Sequence, residues 1–299
     1  MDAGILLIQS LNAFQYGLLL FLVASGLTLI FGIMGIINLA HGSFYMIGAY
    51  MAFALGPAVD RWLGGGFLAT LAVCVLAAAA LGYLLEAAFF SYLYRRNHLQ
   101  QVLMTYGLIL VFEELRSILV GNDVHGVPLP AWLQGSIALG DVMTYPVYRL
   151  FISGVGIGVA LLLYWVIART RLGMMLRAGA SNREMTGSLG IDINKLYRLV
   201  FAAGVALAAL AGSIAAPVSS VYPGMGNGVL IVCFVVVVIG GIGSIRGAFV
   251  AAMLVGVVET FGQVLFPAAA GVLVYVLMAA ILPVSYTHLR AHETRGISY

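Results

Sequence analysis

Three polar residues lie within six positions in the most apolar third of the sequence: Asn38, His41 and Ser43. Polar side chains at membrane depth cost free energy unless they have a partner or face water. Glycine is abundant in the surrounding stretch 25–50, and it allows a helix to break or a second backbone to approach closely. One hypothesis is a discontinuous helix lining a polar substrate path, with free backbone N–H groups facing a carboxylate. The other is a packing seam, which is the commoner reason for glycine in membrane helices. The path candidates are Asn38, His41, Gly42 and Ser43.

A second glycine group lies in 229–256, where a β-branched run is followed by Gly240, Gly241 and Gly243. The order is again apolar helix, glycine break, apolar helix. Two such segments in the two halves of the chain indicate an internal structural repeat with a central site. We therefore add Gly240, Gly241 and Gly243 to the path candidates.

Two carboxylates lie well inside apolar runs, Glu86 and Glu259. A carboxylate at membrane depth is a candidate proton or ion site. A structural pairing role is the favoured interpretation for both, and for Glu86 the nearby Arg95 supports it.

The segment 169–198 is the longest polar stretch between apolar runs. Ser181 and Asn182 are typical N-cap residues, Glu184 falls in the first turn that would follow, and Gly190 is a typical C-cap glycine. The pattern predicts a short amphipathic helix. Such a helix could dock into another protein, or the segment could be an ordinary basic loop.

The composition limits the class of protein. Of 299 residues, 63% are hydrophobic and 8% are charged, whereas an average soluble domain is about 25% charged. These values exclude a soluble globule and disorder, and the thinly spread bases argue against nucleic-acid binding. Lys195 is the single lysine and no G-x-x-x-x-G-K-[ST] sequence is present, so the chain carries no nucleotide-binding P-loop of its own. Cys74 and Cys233 form no C-x-x-C, and H-E-x-x-H and G-x-S-x-G are absent, so no metal ligands or catalytic residues are predicted.

Apolar runs long enough for membrane helices recur along the whole chain, since a crossing needs about 20 such residues. The sequence predicts an all-α, polytopic membrane protein with eight or nine transmembrane helices, some of them broken by glycine. The predicted segments are 9–33, 36–56, 66–94, 101–120, 147–168, 199–219, 229–245, 247–266 and 268–284.

The orientation follows from the basic residues. The segment 169–198 holds six of the fourteen Lys and Arg residues, and Arg95, Arg96 and Arg246 mark two further turns of the same parity. The positive-inside rule assigns these to the cytoplasm and the N-terminus to the periplasm. The first charge is Asp2 and the apolar stretch after it is long, so no cleavable signal peptide is expected.

Three ordered blocks resemble the LivH-type permeases, which are membrane subunits of bacterial ABC importers for branched-chain amino acids. They are GLTLIFGIMGIINLAHGSFYMIGAY (26–50), RAGASNREMTGSLGIDINKLYRLVF (177–201) and GGIGSIRGAFVAAMLVG (240–256). The resemblance covers about residues 5–282. Glu184 and Gly190 match the spacing of the importers' "EAA" motif, although Met185 and Thr186 replace its two alanines. Arg246 stands where many relatives have proline.

The resemblance implies that 177–191 is a cytoplasmic coupling helix on an ATPase. It also implies a LivM-like second permease, two cytoplasmic ATPase subunits that hold ATP and Mg, and a periplasmic amino-acid-binding protein. The chain itself would bind no cofactor and catalyse no reaction. The coupling residues carried over are Arg177, Asn182, Glu184, Gly190 and Ile191.

The polar stretch 285–299 is unlike anything before it and resembles translated sequencing-adapter read-through. We therefore expect a permease domain over 1–284 and a non-native tail over 285–299. His288 and His292 have helical i, i+4 spacing, but within this tail a metal site is not expected.

Two other functions fit the sequence. The same kind of permease could carry urea or short-chain amides, whose permeases share these blocks. A transporter that works without ATP is the other class, with Glu86 or Glu259 as its ion site. The segment 177–191 distinguishes the two classes, because a self-sufficient transporter does not need it.

Overall fold

The computed structural model describes residues 3–64, 66–94, 96–138, 143–269 and 271–281. Within them the chain is mainly helical, in agreement with the predicted all-α class. The helices are α1 Ala3–Met34, α2 His41–Leu63, α3 Gly66–Leu85, α4 Ser91–Leu93, α5 His98–Val120, α6 Val147–Arg169, α7 Arg171–Ser181, α8 Arg183–Ser188, α9 Ile193–Ser219, α10 Met225–Gly240, α11 Ile245–Leu265 and α12 Gly271–Ile281. The other elements are a π-helical turn Glu86–Phe90 between α3 and α4, a 3-10 turn Ala131–Leu133, and an antiparallel pair of strands, β1 Ser136–Ala138 and β2 Thr144–Pro146.

Six of the described helices are long and apolar enough to cross a membrane: α1, α2, α3 with its extension to Leu93, α6, α9 and α11. Helix α5 has the same length as α2 but carries Glu113, Glu114 and Arg116 near its end. Helices α10 and α12 are apolar but shorter. These nine helices of the described chain match the nine predicted segments, so the polytopic helical fold is confirmed.

Both boundaries of the second predicted segment differ from the sequence prediction by several residues. The segment expected at 36–56 begins at His41 and continues to Leu63, because residues 35–40 form a non-helical break. Residues 282–284, the tail 285–299 and Arg95 lie outside the described residues. The division at residue 284 therefore stays a prediction.

The basic residues of several elements gather at one end of the bundle, which we call the basic end. Arg246 donates to the Tyr164 hydroxyl near the end of α6, and Arg177 of α7 donates to the Ile167 carbonyl oxygen. Arg183 of α8 lies over the ring of Tyr94, just after α4. The clustering agrees with the distribution of bases on which the orientation was predicted.

The described parts of the connection between α5 and α6, 121–138 and 143–146, lie over the other end, which we call the opposite end. His125 forms a two-way backbone bridge with Val221, after α9, and its ring stacks on Phe53 of α2. Trp132 packs edge-on against Phe151 near the start of α6. This connection therefore joins the ends of α2 and α9 to the start of α6.

The first three helices and α9–α11 make equivalent contacts. Helix α1 packs along α11 in the same way that α9 packs along α3. Helix α2 packs on α9 in the same way that α10 packs on α1. The equivalent helices also pack on each other, α1 on α9 and α2 on α10. The two triplets run in opposite directions. Asn12 of α1 bonds to Arg149, next to Tyr148, whose hydroxyl donates to Ile214 near the end of α9. The arrangement is that of an inverted structural repeat.

This repeat corrects one part of the sequence prediction. The predicted counterpart of the break at 35–40 was the glycine group at 240–247. In the structure the equivalent break is 220–224, between α9 and α10, because α1 corresponds to α9 and α2 to α10. The break at 220–224 could not be recognised from the sequence, because it contains a single glycine, Gly224, and directly follows the end of a predicted membrane segment.

Glycine allows the central helices to approach backbone to backbone. Helix α9 has one buried face of small residues, Gly204, Ala208, Gly212 and Ala216. A Cβ at Gly212 would overlap the Tyr45 backbone of α2, and one at Gly48 would overlap the Ala209 backbone. Because both clashes are with backbone, a side chain there cannot be accommodated by a rotamer change.

We predict that Gly48→Val destabilises the protein, because the new side chain would force α2 away from α9. Overpacking of this kind costs about 1–3 kcal/mol, or prevents folding. The measurement is the thermal melting temperature of the purified protein in detergent, and the yield of monodisperse protein. Gly158→Val on α6 is the matched control, since no described atom lies within 4 Å of a Cβ added at that position. Equal melting temperatures for the two variants would contradict the close-packing role.

Candidate functional site

The predicted break in the first glycine-rich stretch is confirmed. Helix α1 ends at Met34, Gly35 adopts a left-handed backbone with φ of 67°, and α2 begins at His41. The Asn38 carboxamide oxygen accepts from the Ala40 backbone N–H at 3.1 Å and so shapes the last turn before α2. In lipid, such a break is tolerated where it is buried in protein or lines a cavity.

His41 joins the start of α2 to the middle of α1. Its Nε2 lies 3.0 Å from the Val23 carbonyl oxygen, and because a carbonyl can only accept, Nε2 carries the proton. The Nδ1 atom of His41 and the Nδ2 atom of Asn38 are buried and have no hydrogen-bond partner among the residues that the structure describes. Unpaired buried polar atoms are uncommon in proteins and are frequently found where a ligand, water or another conformation completes the bonding.

The start of α2 meets the start of α10 at this break. A Cβ at Gly42 would overlap the Gly226 carbonyl, and a Cβ at Gly226 would overlap the Gly42 carbonyl. Both helices thus begin inside the bundle, one from each inverted triplet. Asn227, in the first turn of α10, adds an exposed polar side chain on the second side of this junction.

The structure separates the two groups of path candidates. Asn38, His41 and Ser43 are buried among α1, α2 and their neighbours and line none of the described cavities. Gly240, Gly241 and Gly243 form the turn between α10 and α11 at the basic end. Gly243 packs directly against Gly32 of α1, and Gly240 against Gly247. The path role of both groups stays a prediction.

A cavity of about 320 Å³ lies beside the second glycine group. Gly32 and Gly243 form part of its wall, together with Tyr164, Arg177 and Arg246. Two arginines near one small apolar cavity make the basic end strongly positive locally. The cavity also brings one path candidate, Gly243, next to one coupling candidate, Arg177.

The predicted helix in the polar segment is present as α8. The Asn182 side chain accepts from the Met185 backbone N–H at 2.9 Å, Glu184 lies in the first turn, and Gly190 has a left-handed φ of 85° just after the helix. The N-cap and the terminating glycine are thus confirmed. Helix α7, which precedes α8 and shares Asn182 as its C-cap, is a separate helix that the sequence pattern does not predict.

The coupling candidates face different directions. Arg177 points back to the bundle and donates to the Ile167 carbonyl oxygen, and Ile191 is half-buried against the core. Glu184 is exposed, as are the apolar side chains of Met185 (61%) and Leu189 (75%). One acidic and two large apolar side chains therefore form an open face on α8. Exposed apolar groups of this size at an aqueous end indicate a protein contact.

Arg183 connects α8 to the membrane helices. Its guanidinium lies 4.8 Å from the Tyr94 ring centre and 5.1 Å from that of Tyr197. The Tyr94 hydroxyl donates to Glu86, and Glu86 also accepts from the Arg198 Nε at 3.2 Å. Glu86 is fully buried, so its ion pair with Arg198 and the Tyr94 bond offset the cost of burying its charge. Glu86 thus has the structural pairing role that the sequence favoured, with Arg198 as the partner.

The start of α9 is fixed next to this network. The Asp192 side chain caps α9 by accepting from the Lys195 backbone N–H at 3.1 Å. That hydrogen bond, with the Lys195 ammonium nearby, holds the pKa of the Asp192 carboxyl below its ordinary value. At neutral pH the cap is therefore ionised and favours the N-terminal end of the helix.

A second, more polar cavity of about 470 Å³ lies toward the opposite end, between α1, α2, α6, α9 and α11. Its lining includes Asn12, Tyr45, Arg149 and Glu259. Glu259 was a sequence candidate, whereas Arg149, which lies within the predicted membrane segment 147–168, was not. Polar residues at Gln9, Asn12, Gln15 and Tyr16 follow helical spacing and could have signalled this polar face of α1. Within the described residues no group of three metal-binding side chains occurs.

Comparison with known proteins identifies the kind of molecule. The family described as "Branched-chain amino acid transport system / permease component" matches residues 10–282. The chain belongs to this family. It is 33% identical over 270 residues to the branched-chain amino acid permease protein BraD of Pseudomonas aeruginosa, covering 86% of each chain. It is 28% identical to LivH of Escherichia coli over 85% of each chain.

More distant relatives carry other cargo. The ribose import permease protein RbsC of Escherichia coli is 29% identical over 79% of this chain and 71% of its own. No solved structure matches the chain significantly. The relatives are transport permease subunits rather than enzymes, and the family with its apolar helices makes this chain a multi-pass inner-membrane protein.

For this family member we predict that Asn38→Leu and His41→Leu impair transport more than expression. Each variant removes a polar group at the break without adding a charge. Uptake of radiolabelled leucine, divided by the amount of protein in the membrane, is the readout. His98→Leu is the control, since His98 is exposed at the start of α5. A parallel fall of uptake and membrane level would assign both residues to packing.

Proposed function

We propose that the chain is the membrane-spanning permease subunit of an ATP-driven ABC importer. It carries branched-chain or related amino acids from a periplasmic binding protein to the cytoplasm. The observation that carries this proposal is the open face of α8, with Glu184, Met185 and Leu189. A transporter that works alone has no need of an exposed acidic and apolar helix tied to its membrane core through Arg183.

The proposed partners are two cytoplasmic ATPase subunits, a LivM-like second permease and the binding protein. ATP and Mg are held by the ATPase subunits, and this chain binds no cofactor. The basic end faces the cytoplasm, which places the N-terminus in the periplasm. In this orientation α8 lies where an ATPase can reach it, and the polar cavity lies where a binding protein would deliver its ligand.

The transport step follows from these assignments. ATP binding to the partners stabilises one arrangement of the permease over the other, and the solute crosses unchanged. The proposed path runs past the break at Asn38, His41, Gly42 and Ser43 and on to the glycine turn at Gly240, Gly241 and Gly243. Two inverted triplets that meet at their helix starts give the bundle two related ways to pack around such a path.

Reconstitution tests the proposed activity. We expect vesicles containing this chain, its second permease and the ATPase subunits to accumulate leucine when ATP and the binding protein are supplied. Urea at the same concentration is not accumulated. Omission of ATP is the control and abolishes uptake. Urea accumulation without leucine accumulation would replace the proposed substrate, and ATP-independent uptake by this chain alone would reject the importer mechanism.

We predict that Glu184→Lys abolishes ATPase co-purification and leaves the membrane fold intact. The change reverses a charge on the open face of α8, where Glu184 makes no described side-chain bond. The readouts are the ATPase recovered with the tagged permease and its elution profile in detergent. Glu114→Lys, the same change on the exposed end of α5, is the matched control. Undiminished ATPase recovery with Glu184→Lys would contradict the docking role.

A further inference from the structure

The polar cavity toward the opposite end contains two charges of opposite sign, Arg149 from α6 and Glu259 from α11. Neither belongs to the three ion pairs found among the described residues, so the two charges are not in contact with each other. Both side chains are half-buried. The cavity is therefore neutral overall but has a positive group and a negative group apart from one another.

Each of these charges has a neutral hydrogen-bond partner in place of a counter-ion. Arg149 donates to the Asn12 side-chain oxygen, and Glu259 accepts from the Gln263 amide at 3.2 Å. A charge removed from water is costly unless an opposite charge compensates it. A ligand that carries one negative and one positive group would compensate both at once.

The rest of the lining suits an apolar side chain. Leu19, Ile152 and Ala215 contribute apolar surface to the same cavity, and its volume is in the range of small-molecule sites. Tyr45 lies in the lining too, one turn beyond His41 on α2. The cavity thus extends from the opposite end toward the break between α1 and α2.

We propose that this cavity binds a free α-amino acid as its zwitterion, with the carboxylate on Arg149 and the ammonium group on Glu259. The planar guanidinium can donate two parallel hydrogen bonds to a carboxylate, which fixes its orientation. The inference rests on the proposed function and adds the residues that recognise the backbone of the substrate. A neutral solute such as urea leaves both charges uncompensated and is rejected for that reason.

The test uses the assembled transporter of this chain, the second permease and the ATPase subunits in nanodiscs, without binding protein, so that binding to the membrane subunits is read directly. Tritiated leucine is the probe, with unlabelled leucine, leucinamide and 4-methylpentanoate as competitors. Leucinamide lacks the carboxylate and 4-methylpentanoate lacks the ammonium group. We expect both analogues to compete at least tenfold more weakly than leucine.

Two single variants test which charged residue of the cavity binds which charged group of the amino acid. Glu259→Gln should weaken leucine binding at least tenfold without weakening 4-methylpentanoate binding, because that analogue has no ammonium group to pair with Glu259. Arg149→Gln should likewise weaken leucine binding at least tenfold. It should not weaken leucinamide binding, because leucinamide has no carboxylate to pair with Arg149. A variant that merely unfolds would lose all ligands alike. Arg61→Gln and Glu114→Gln, which remove the same charges from exposed positions outside the cavity, are the controls and should bind leucine normally.

The site is overturned if the wild-type assembly binds no leucine, if both variants bind leucine normally, or if leucine and the analogues weaken in parallel. Uptake by the wild-type assembly separates this outcome from failure of the proposed function. ATP-driven leucine uptake together with any of these results rejects the zwitterion site alone. Uptake of urea in place of leucine rejects the substrate class as well.

Discussion

The whole arrangement depends on the requirement that backbone groups inside a membrane be bonded or buried in protein. The chain has two breaks inside its bundle, before α2 and before α10, and each would expose peptide groups to lipid if it stood alone. Mutual contact between Gly42 and Gly226 places the two helix starts against each other, and α1 and α9 enclose them. Small residues are needed along α9, because larger side chains there would keep its backbone away from the backbones of α1 and α2.

Charge is handled differently at the two ends of the bundle. At the basic end, Glu86 is fully buried but neutralised by Arg198, and Tyr94 and Arg183 extend this pairing to α8. Such a closed network fixes positions and leaves nothing for a ligand to compensate. Toward the opposite end, Arg149 and Glu259 share a cavity without pairing. The first arrangement suits a mechanical connection and the second suits recognition.

Much of the fold could be predicted from local sequence. Continuous apolar runs identified the membrane helices, the glycine-rich stretch 25–50 with Asn38 indicated a break, and Asn182 and Gly190 marked the ends of α8, since each signal depends on a few adjacent residues. What stayed out of reach depends on residues far apart in the chain. Gly42 indicates that another backbone comes close, but the sequence does not reveal that this backbone is Gly226. In the same way, the buried position of Glu86 indicates that it needs a partner, but the sequence does not reveal that the partner is Arg198, 112 residues later. Arg149 was not predicted, because only the packing of α1, α6 and α11 places it in a cavity.

The division of the polar segment into α7 and α8 has a mechanical consequence. Helix α7 packs on α1, α6 and α9, whereas α8 packs on α9 and, through Arg183, on Tyr94 beyond α3. Each short helix thus contacts both inverted triplets, and the two helices are joined to each other at Asn182. A force applied at this joint is therefore shared between both triplets from the start.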